Sequence, residues 1–378
     1  MDSLKVAEIR SQGDRREMVM FPWTVYRGDK NWVPPIIKER QALLDPRSNP
    51  FFQNADVVLL SARREGRLVG TIAAFVDPFF NRQLDQKVGF FGFFEVLEDY
   101  EAAEALLSAA RDWVRERGMT ELRGPINFHR DRERGIVVEG ADCPPPMLCA
   151  HTPPYYKDFV ERFGLVKYAD DFARRVRVVD VLEPDGSLPP RLARLKKVAE
   201  RRAHLQIRNA RLEDWDSEVQ RVRVLYDATI GQLPDHTAWT DQDLQDFADK
   251  LRPFVDPNLI LFGEIDGEPV GCALAFPDLN QVLIHLNGRI DGLNKLRAWW
   301  YMRRVNQVSF KVGGVLEEYQ GLGLEALFLL ELARAALARG FSWVDMSLQA
   351  EDNPRLNTLV SHFEVEDYKR YRVYHMPL

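Results

Sequence analysis

The stretch Gly66-Arg67-Leu68-Val69-Gly70 decides the fold, because it returns in the same chain as Gly267-Glu268-Pro269-Val270-Gly271. The two stretches are displaced by 201 positions, and each is followed by an Ala-Phe pair and then by an Asp. A further block, Val96-Leu97-Glu98, returns as Val315-Leu316-Glu317 at a displacement of 219. A period of this length is too long for a solenoid and predicts two similar domains.

The two copies predict the same order of elements. The dipeptides Glu65-Gly66 and Asp266-Gly267 separate apolar runs, which indicates an antiparallel hairpin in each half. A strand, a long helix and another strand follow, and a unit of this kind favours a parallel strand pair. The sequence therefore predicts an α/β fold of the α+β type. It has two tandem domains, each a mixed β-sheet whose strands splay apart and whose faces are flanked by helices.

The domain boundaries follow from composition. The run Pro184-Asp185-Gly186-Ser187-Leu188-Pro189-Pro190 is typical of a linker. We predict an N-terminal domain over 1–183, a linker and connecting helix over 184–203, and a C-terminal domain over 204–378. A long insertion, Leu279 to Asn306, interrupts the second copy. Within it, Leu296 to Arg304 carries two Trp and three Arg and is either a basic amphipathic surface helix or a packing element between the copies.

Composition excludes several classes of protein. The 378 residues are 46% hydrophobic and 29% charged, which is ordinary for a globular chain, and the net charge of -6 argues against broad nucleic-acid binding. Three cysteines form no Cys-x-x-Cys pair, which suits a reducing compartment. The N-terminus lacks an apolar signal region, and no apolar run approaches the ~20 residues that a membrane span needs. We therefore expect a cytoplasmic protein with no membrane span.

The loop from Glu317 to Ala326 joins the third strand of the second copy to its long helix, and it contains Gly321 and Gly323. Glycines let the backbone approach a ligand closely, and a helix N-terminus offers free amides and a positive dipole end to an anion. This chemistry suits a pyrophosphate. The first copy has Glu98-Asp99-Tyr100-Glu101 in the same place, with no glycine and with acids that repel phosphate. We therefore expect the N-terminal domain to be degenerate.

Two other interpretations of this loop stay open. The pattern Gly321-x-Gly323-x-x-Ala326 fits a dinucleotide-binding fingerprint, with Asp345 about 20 residues on as a ribose ligand. Only one helix and one strand are predicted after Asp345, which we place in mid-strand, and both features disfavour this interpretation. In the other, the glycines simply make a strand-to-helix turn.

The stretch Gln320-Gly321-Leu322-Gly323-Leu324-Glu325 resembles the Q/R-x-x-G-x-G/A acyl-CoA loop of the GNAT acetyltransferase superfamily. Asn353, followed by a predicted helix ending near Phe363, resembles that superfamily's penultimate helix. The stretches Tyr368 to Tyr374 and Gly124 to Asn127 resemble a bacterial subfamily with tandem GNAT-like domains.

The resemblance implies a set of ligand contacts. Strand backbone at Val315 and Leu316 would face pantetheine, and amides of the loop would hold the pyrophosphate of acetyl-CoA or another acyl-CoA, with no metal. The implied cofactor-binding residues are Val315, Leu316, Gln320, Gly321, Leu322, Gly323, Leu324 and Asn353.

Two positions depart from the superfamily's pattern. Glu325 stands where Gly or Ala is usual, and Val360 replaces the Tyr that serves as general acid seven residues after the Asn. The catalytic residues are therefore unknown from sequence. The weak candidates are His285, on a strand-like stretch, and Ser347 and Glu351, near the end of the next strand.

The sequence predicts an acyl-CoA-dependent N-acyltransferase that acts on a small amine of unknown identity. One alternative is a non-catalytic GNAT-fold protein that binds or senses a ligand. Another is a Fem-type aminoacyl transferase, which the acidic balance disfavours because aminoacyl-tRNA would need a basic surface. We expect no nucleic acid as partner. The oligomeric state stays open, with a homodimer among the alternatives, as does the acyl chain.

Overall fold

The protein is described by a computed structural model. It describes residues 4–129, 133–183, 185, 187–190, 193–194, 205–232, 241–351, 353 and 363–378. Most of the predicted connecting helix and the predicted helix after Asn353, including Val360, lie outside the described residues.

The elements of the N-terminal half repeat the predicted order. In chain order they are β1 (Leu4–Glu8), α1 (Gln12–Met20), α2 (Pro22–Val25), α3 (Ile37–Leu43), α4 (Phe51–Asn54), β2 (Asp56–Arg64), β3 (Arg67–Val76), α5 (Pro78–Gln83), β4 (Val88–Val96), α6 (Tyr100–Arg115), β5 (Glu121–Gly124), β6 (Ile136–Glu139), α7 (Tyr155–Arg162), β7 (Val166–Arg177) and α8 (Val178–Val181).

The C-terminal half continues in the same manner. Its elements are β8 (Leu205–Asn209), α9 (Trp215–Ala228), α10 (Asp241–Leu251), β9 (Ile260–Ile265), β10 (Glu268–Pro277), α11 (Asn280–Leu283), α12 (Leu293–Met302), β11 (Gln307–Val315), α13 (Leu324–Ala338), β12 (Trp343–Asp345), β13 (Gln349–Ala350) and β14 (Val365–Pro377).

The two hairpins have the same turn. Glu65 and Gly66 have φ of 49° and 82°, and Asp266 and Gly267 have φ of 51° and 87°. Positive φ at both central residues defines a type I′ turn, whose twist matches that of the strands it joins. The repeated acid-glycine pair therefore explains why both hairpins form, as the sequence predicted.

The chain forms two compact units that are discontinuous in sequence. Unit 1 consists of Met1–Phe172, Asn280–Arg303 and Lys369–Leu378, and unit 2 of Ala173–Leu279 and Arg304–Tyr368. Most of the insertion predicted in the second copy thus belongs to unit 1, with the last ten residues of the chain.

Unit 1 contains strands in the order β1-β2-β3-β4-β5-β14. Neighbours pair antiparallel except β4 and β5, which are parallel over Val88–Phe90 and Glu121–Arg123. Helix α6 buries its apolar face on this sheet through Leu106, Leu107 and Val114.

Unit 2 has the corresponding order β8-β9-β10-β11-β12-β7, with β7 contributing Arg175–Arg177. Again one central pair, β11 and β12, is parallel and the others are antiparallel. Helix α13 is the counterpart of α6 and packs Leu327 and Phe328 into the core of this unit. The repeat in sequence is therefore a repeat of architecture.

Candidate functional site

A glycine corner lies between β11 and α13 in unit 2, and we define it as residues Gln320–Leu324. Gly321 and Gly323 have φ of 78° and 84°, which side-chain-bearing residues rarely adopt. A Cβ placed on either glycine would have no described heavy atom within 4 Å, apart from atoms of the glycine itself and of its two neighbours in the chain. Gly323 is the N-cap of α13, and no described side chain caps it. No described side chain therefore fills these two positions, and the first amides of a helix, which have no partner within the helix, can donate to an anion there.

The corner is fixed to the end of β11. The Gln320 side chain folds back so that Nε2 donates to the Val315 carbonyl oxygen at 2.8 Å. The Leu316 amide donates to the Val270 carbonyl oxygen at 2.9 Å, which holds the strand end to β10. Tyr319 packs against the core of unit 2. These contacts give the loop a defined geometry before any ligand binds.

The parallel strands β11 and β12 pair over only a short stretch. They pair only over Gln307–Ser309 and Trp343–Asp345, although β11 runs on to Val315. A bulge between Leu274 and Ala275 of β10 leaves Lys311 of β11 without a cross-strand partner in β10. Beyond Ser309, β11 continues after its neighbour β12 has ended. We call the space beside this part of β11 the opening. The backbone of β11 on that side can pair with an extended ligand.

Polar side chains gather at the opening. Lys311 Nζ donates to the Ser347 carbonyl oxygen at 3.0 Å. The Asp345 carboxylate is fully buried and accepts from the Ser347 amide at 3.0 Å, from the Ser347 hydroxyl at 3.0 Å and from the Tyr368 hydroxyl. Removing a carboxylate from water costs free energy, and hydrogen bonds from donors such as these offset that cost. The opening thus combines an ammonium group, a buried acid and a phenol.

This arrangement suits transfer of an acyl group between nucleophiles. A tetrahedral intermediate places negative charge on a former carbonyl oxygen, which a fixed cation stabilises. Deprotonation of an attacking group requires an acceptor within hydrogen-bonding reach, directly or through a hydroxyl. Lys311 meets the first requirement, and the pair of Asp345 and Tyr368 meets the second.

Two curated proteins are similar to the chain along nearly its whole length. "Bacterial ceramide synthase" of Caulobacter vibrioides is 28% identical over 388 residues, which cover 99% of this chain and 98% of that protein. "Protein YghO" of Escherichia coli is 26% identical over 370 residues, which cover 96% and 93%. No protein-family model matches the chain.

Solved structures share the fold at low sequence identity. A tandem GNAT protein from the clavulanic acid biosynthesis pathway aligns with a TM-score of 0.56 at 12% identity, over 99% of this chain and 98% of that one. The chain has a tandem GNAT fold. A GCN5-related N-acetyltransferase from Sphaerobacter thermophilus has a TM-score of 0.52 at 11% identity, over 99% and 95%.

A fungal multi-domain GH3 β-N-acetylglucosaminidase with a GCN5-related glucosamine N-acetyltransferase region has a TM-score of 0.58 at 14% identity. All of this chain aligns, but it spans 38% of that larger one. The predicted fold class, mixed sheets in two GNAT-like domains, is confirmed.

The sequence-predicted ligand residues all belong to unit 2. Leu322 exposes its side chain at the corner, whereas the Leu324 side chain is buried in the core. Glu351 is exposed in the turn after β13, and the Asn353 amide donates to the Ala350 carbonyl oxygen at 3.2 Å. Ser347 lies at the opening. Their roles in binding and catalysis stay predictions.

The structure corrects the setting of His285. The predicted strand is wrong, because His285 lies in a turn after α11 and belongs to unit 1. Its ring stacks on Tyr301 with centroids 3.9 Å apart. Burial lowers the pKa of His285, and the nearby Arg297 lowers it further. Apolar neighbours at 284 and 286 suggested a strand, but they occur equally in a turn whose inner side packs on a domain.

Asp345 was also misplaced by the sequence pattern. It is the last residue of the short strand β12, so the mid-strand prediction is wrong. Sequence analysis did not single out Lys311 or Tyr368. The available signal was weak: a cation between Phe310 and Val312, and a Tyr in a strand of alternating charge.

The counterpart of the glycine corner in unit 1 is occupied by the chain itself. The Asp99 carboxylate caps α6 by accepting from the Ala102 amide at 3.1 Å, and Arg64 lies 2.9 Å from that carboxylate. The Tyr156 hydroxyl accepts from the Val96 amide at 2.7 Å and donates to Glu95 Oε2 at 2.9 Å. Val96 corresponds to Val315 by the repeat offset of 219. The Asp99 carboxylate thus caps α6 in unit 1, whereas no described side chain caps the corresponding helix α13 in unit 2.

The Glu95 carboxyl in unit 1 has a raised pKa. Burial raises the pKa of this carboxyl to about 7, although hydrogen bonds from Tyr156 and Tyr26 and the charge of Arg40 lower it. Burial likewise raises the pKa of the Cys272 thiol in unit 2 to about 12, which leaves this thiol unreactive.

Among the described residues, no cluster of His, Cys, Asp and Glu could hold a metal ion, and no helix could cross a membrane.

Proposed function

We propose that the chain is an acyl-CoA-dependent N-acyltransferase and that unit 2 holds the acyl-CoA. The observation that carries this proposal is the uncapped glycine corner at the end of a strand whose neighbour has ended. Amides at Gly323 and the first turn of α13 offer hydrogen bonds to a pyrophosphate. The corresponding position in unit 1 is filled by the Asp99 carboxylate, so only unit 2 has this corner free among the described residues.

The corner and the opening lie at two ends of one strand segment. At ~3.3 Å per residue, the four steps from Lys311 to Val315 span about 13 Å. The Leu316 amide is already paired with Val270, so the pantetheine arm would pair with the backbone of β11 up to Val315 and reach along this segment toward Lys311. The thioester carbonyl would then lie near the Lys311 ammonium, and the amine would approach through the opening.

The acceptor is an amine, and we propose that it carries a long alkyl chain. The relative from Caulobacter vibrioides is named a ceramide synthase and aligns with 99% of this chain. A ceramide is the amide of a long-chain amino alcohol and a fatty acid. The comparison supports the proposal of a fatty acyl-CoA as acyl donor and a long-chain amino alcohol as acceptor, with acetyl-CoA and small amines as the simpler alternative.

The reaction makes a C–N bond and breaks the C–S bond of the thioester. The uncharged amine attacks the carbonyl carbon, and the charge that develops on the carbonyl oxygen faces Lys311. The surplus proton of the amine passes to the Tyr368 hydroxyl as that hydroxyl gives its own proton to Asp345. The thiolate then leaves and takes up this proton, returned from Asp345 through Tyr368, so that both groups regain their starting state. These assignments follow from the contacts of Lys311 and Asp345 described above.

A substitution at the glycine corner tests where the CoA binds. Gly323→Glu places a carboxylate against the proposed pyrophosphate position and should weaken CoA binding at least tenfold in calorimetry. Gly340→Glu is the matched control, because Gly340 has φ of 79°, stands at the other end of α13 and also has open space around it. Equal loss of affinity in both variants, or unchanged affinity in Gly323→Glu, would refute the assignment.

A second measurement separates an enzyme from a binding protein. Thiol release from palmitoyl-CoA and acetyl-CoA is followed with long-chain amino alcohols and with short amines. We expect release with the long-chain pair and the amide product by mass spectrometry. Tight CoA binding with no release across the panel would instead support the non-catalytic alternative, and release with short amines alone would refute the lipid acceptor.

A further inference from the structure

Helix α12 in unit 1 has an unusually apolar exposed face. Leu293 is 79% exposed, Leu296 67%, Trp299 56% and Trp300 43%. Large apolar side chains this exposed within one ten-residue helix form a patch, whereas scattered single ones are common on any surface. At 100° per residue, Leu293, Leu296 and Trp300 lie within an arc of about 60°. The patch is therefore one contiguous stripe along the helix.

Cations border this stripe. By the same helical geometry, Arg297 lies about 40° to one side of Leu293 and Arg303, just past the helix, about 80° to the other. The Arg303 guanidinium lies over the Trp299 ring, 3.6 Å from its centroid. We call Leu293, Leu296, Arg297, Trp299, Trp300 and Arg303 the basic face.

The charge of this segment is opposite to that of the chain. Residues 289–303 contain the cations Arg289, Lys295, Arg297 and Arg303 and a single acid, Asp291, whereas the whole chain has a net charge of -6. A cluster of positive charge on an acidic protein attracts an anionic surface to that region. The rest of the protein, which is negatively charged, does not attract it.

The segment that leads into the helix is anchored to other parts of unit 1. Trp23 Nε1 donates to Asn287 Oδ1 at 2.6 Å, and the Ile37 amide donates to the Gly288 carbonyl oxygen at 2.9 Å. His285 stacks on Tyr301, which lies about 110° around the helix from the middle of the stripe. Unit 1 therefore presents the basic face from an anchored segment, so its outward direction is set by the fold.

We propose that the basic face docks the protein onto an anionic membrane surface. The Leu and Trp side chains enter the headgroup region, where Trp is favoured, and the cations pair with lipid phosphates. A second copy of the chain fits less well, because a symmetric contact would bring the same cations of both copies together. This inference stands on exposure and charge and does not depend on acyl transfer, although a membrane is where long-chain acceptors reside.

Vesicle sedimentation tests the proposal on the full chain. We expect binding to vesicles of phosphatidylcholine with 30% phosphatidylglycerol, much weaker binding to pure phosphatidylcholine, and a decrease in binding as salt rises. The double variant Leu296→Gln, Trp300→Ser should lose at least tenfold in vesicle affinity. The control is Val224→Gln, which replaces an apolar residue 64% exposed on α9 of unit 2 and should bind vesicles as the wild type does.

Three outcomes would overturn the proposal: unchanged vesicle binding by the double variant, equal binding to both vesicle types, or no binding by the wild type. Light scattering on the same samples identifies the competing occupant. A wild-type dimer that the double variant converts to monomer, without vesicle binding, would assign the face to a second copy. CoA affinity, measured in parallel, should be unchanged in the double variant, so failure here is distinguishable from failure of the proposed function.

Discussion

The ammonium group of Lys311 donates a hydrogen bond to the carbonyl oxygen of Ser347, 3.0 Å away, across the opening where β11 and β12 no longer pair. The bulge in the β10–β11 pairing falls at Lys311, so the strand places this side chain at the point where the sheet divides. A thioester oxygen entering the opening would compete with the Ser347 carbonyl for the same donor. The cation is thus held in position before the substrate arrives.

Lys311→Met should lower kcat about 10²-fold, because it removes the charge that we propose faces the developing oxyanion. Lys311→Arg, which keeps the charge on a bulkier group, should retain part of the rate. CoA affinity measured by calorimetry should change little in either variant, since the proposed pyrophosphate site is the glycine corner. A loss of affinity that matches the loss of rate would contradict this role.

Tyr368→Phe should slow acyl transfer about 10²-fold and lower the free energy of unfolding by about 1–2 kcal/mol, because the Asp345 carboxylate loses a donor. Tyr374→Phe is the matched control, since the Tyr374 hydroxyl donates to Glu161 in unit 1 at 2.9 Å. Denaturant unfolding and thiol release are measured on both. If the two variants lose stability and activity alike, Tyr368 has only a structural role.

Glu95→Gln should change how stability depends on pH. The pKa of Glu95 is raised from 4.5 to about 7, so the folded state holds a proton that the unfolded state has released between these values. This carboxyl therefore lowers stability progressively as pH rises from about 4.5 to about 7. The Gln variant lacks this loss, so its Tm relative to the wild type should rise between pH 5 and pH 8. A difference in Tm that is the same at both pH values would contradict the raised pKa.

Asp99→Ala should destabilise the protein by about 1 kcal/mol, because α6 loses its N-cap and Arg64 loses an ion-pair partner. Glu101→Ala removes an exposed carboxylate that binds the same Arg64 and should cost much less. Thermal unfolding followed by circular dichroism compares the two. Equal effects would mean that Asp99 acts through Arg64 and not as a cap.

Local signals predicted most of the architecture. The acid-glycine turns fixed both hairpins, since few residue pairs adopt positive φ at two successive positions. The offset of 219 located the glycine corner and its acidic counterpart, because corresponding loops follow corresponding strands. Pro22 divides the predicted helix over 13–27 into α1 and α2, where it takes the first helical position.

The sequence pattern did not predict contacts between residues that lie far apart in the chain. Nothing in Lys369–Leu378 indicates that it completes unit 1, since a strand's partner depends on the rest of the sheet. Lys311 stood out only once the bulge in β10 was known, and Tyr368 only once its hydroxyl was seen at Asp345. His285 was misread because alternation over three residues is too short to define a strand.

The pairing of Tyr374–Pro377 with Glu121–Gly124 has a consequence for synthesis. A ribosome releases the C-terminus last, so the domain whose translation begins first is the last to be completed. Until then β5 lacks its neighbour, and a chain cut just before Lys369 would contain all of unit 2 but not the strand segment that completes unit 1.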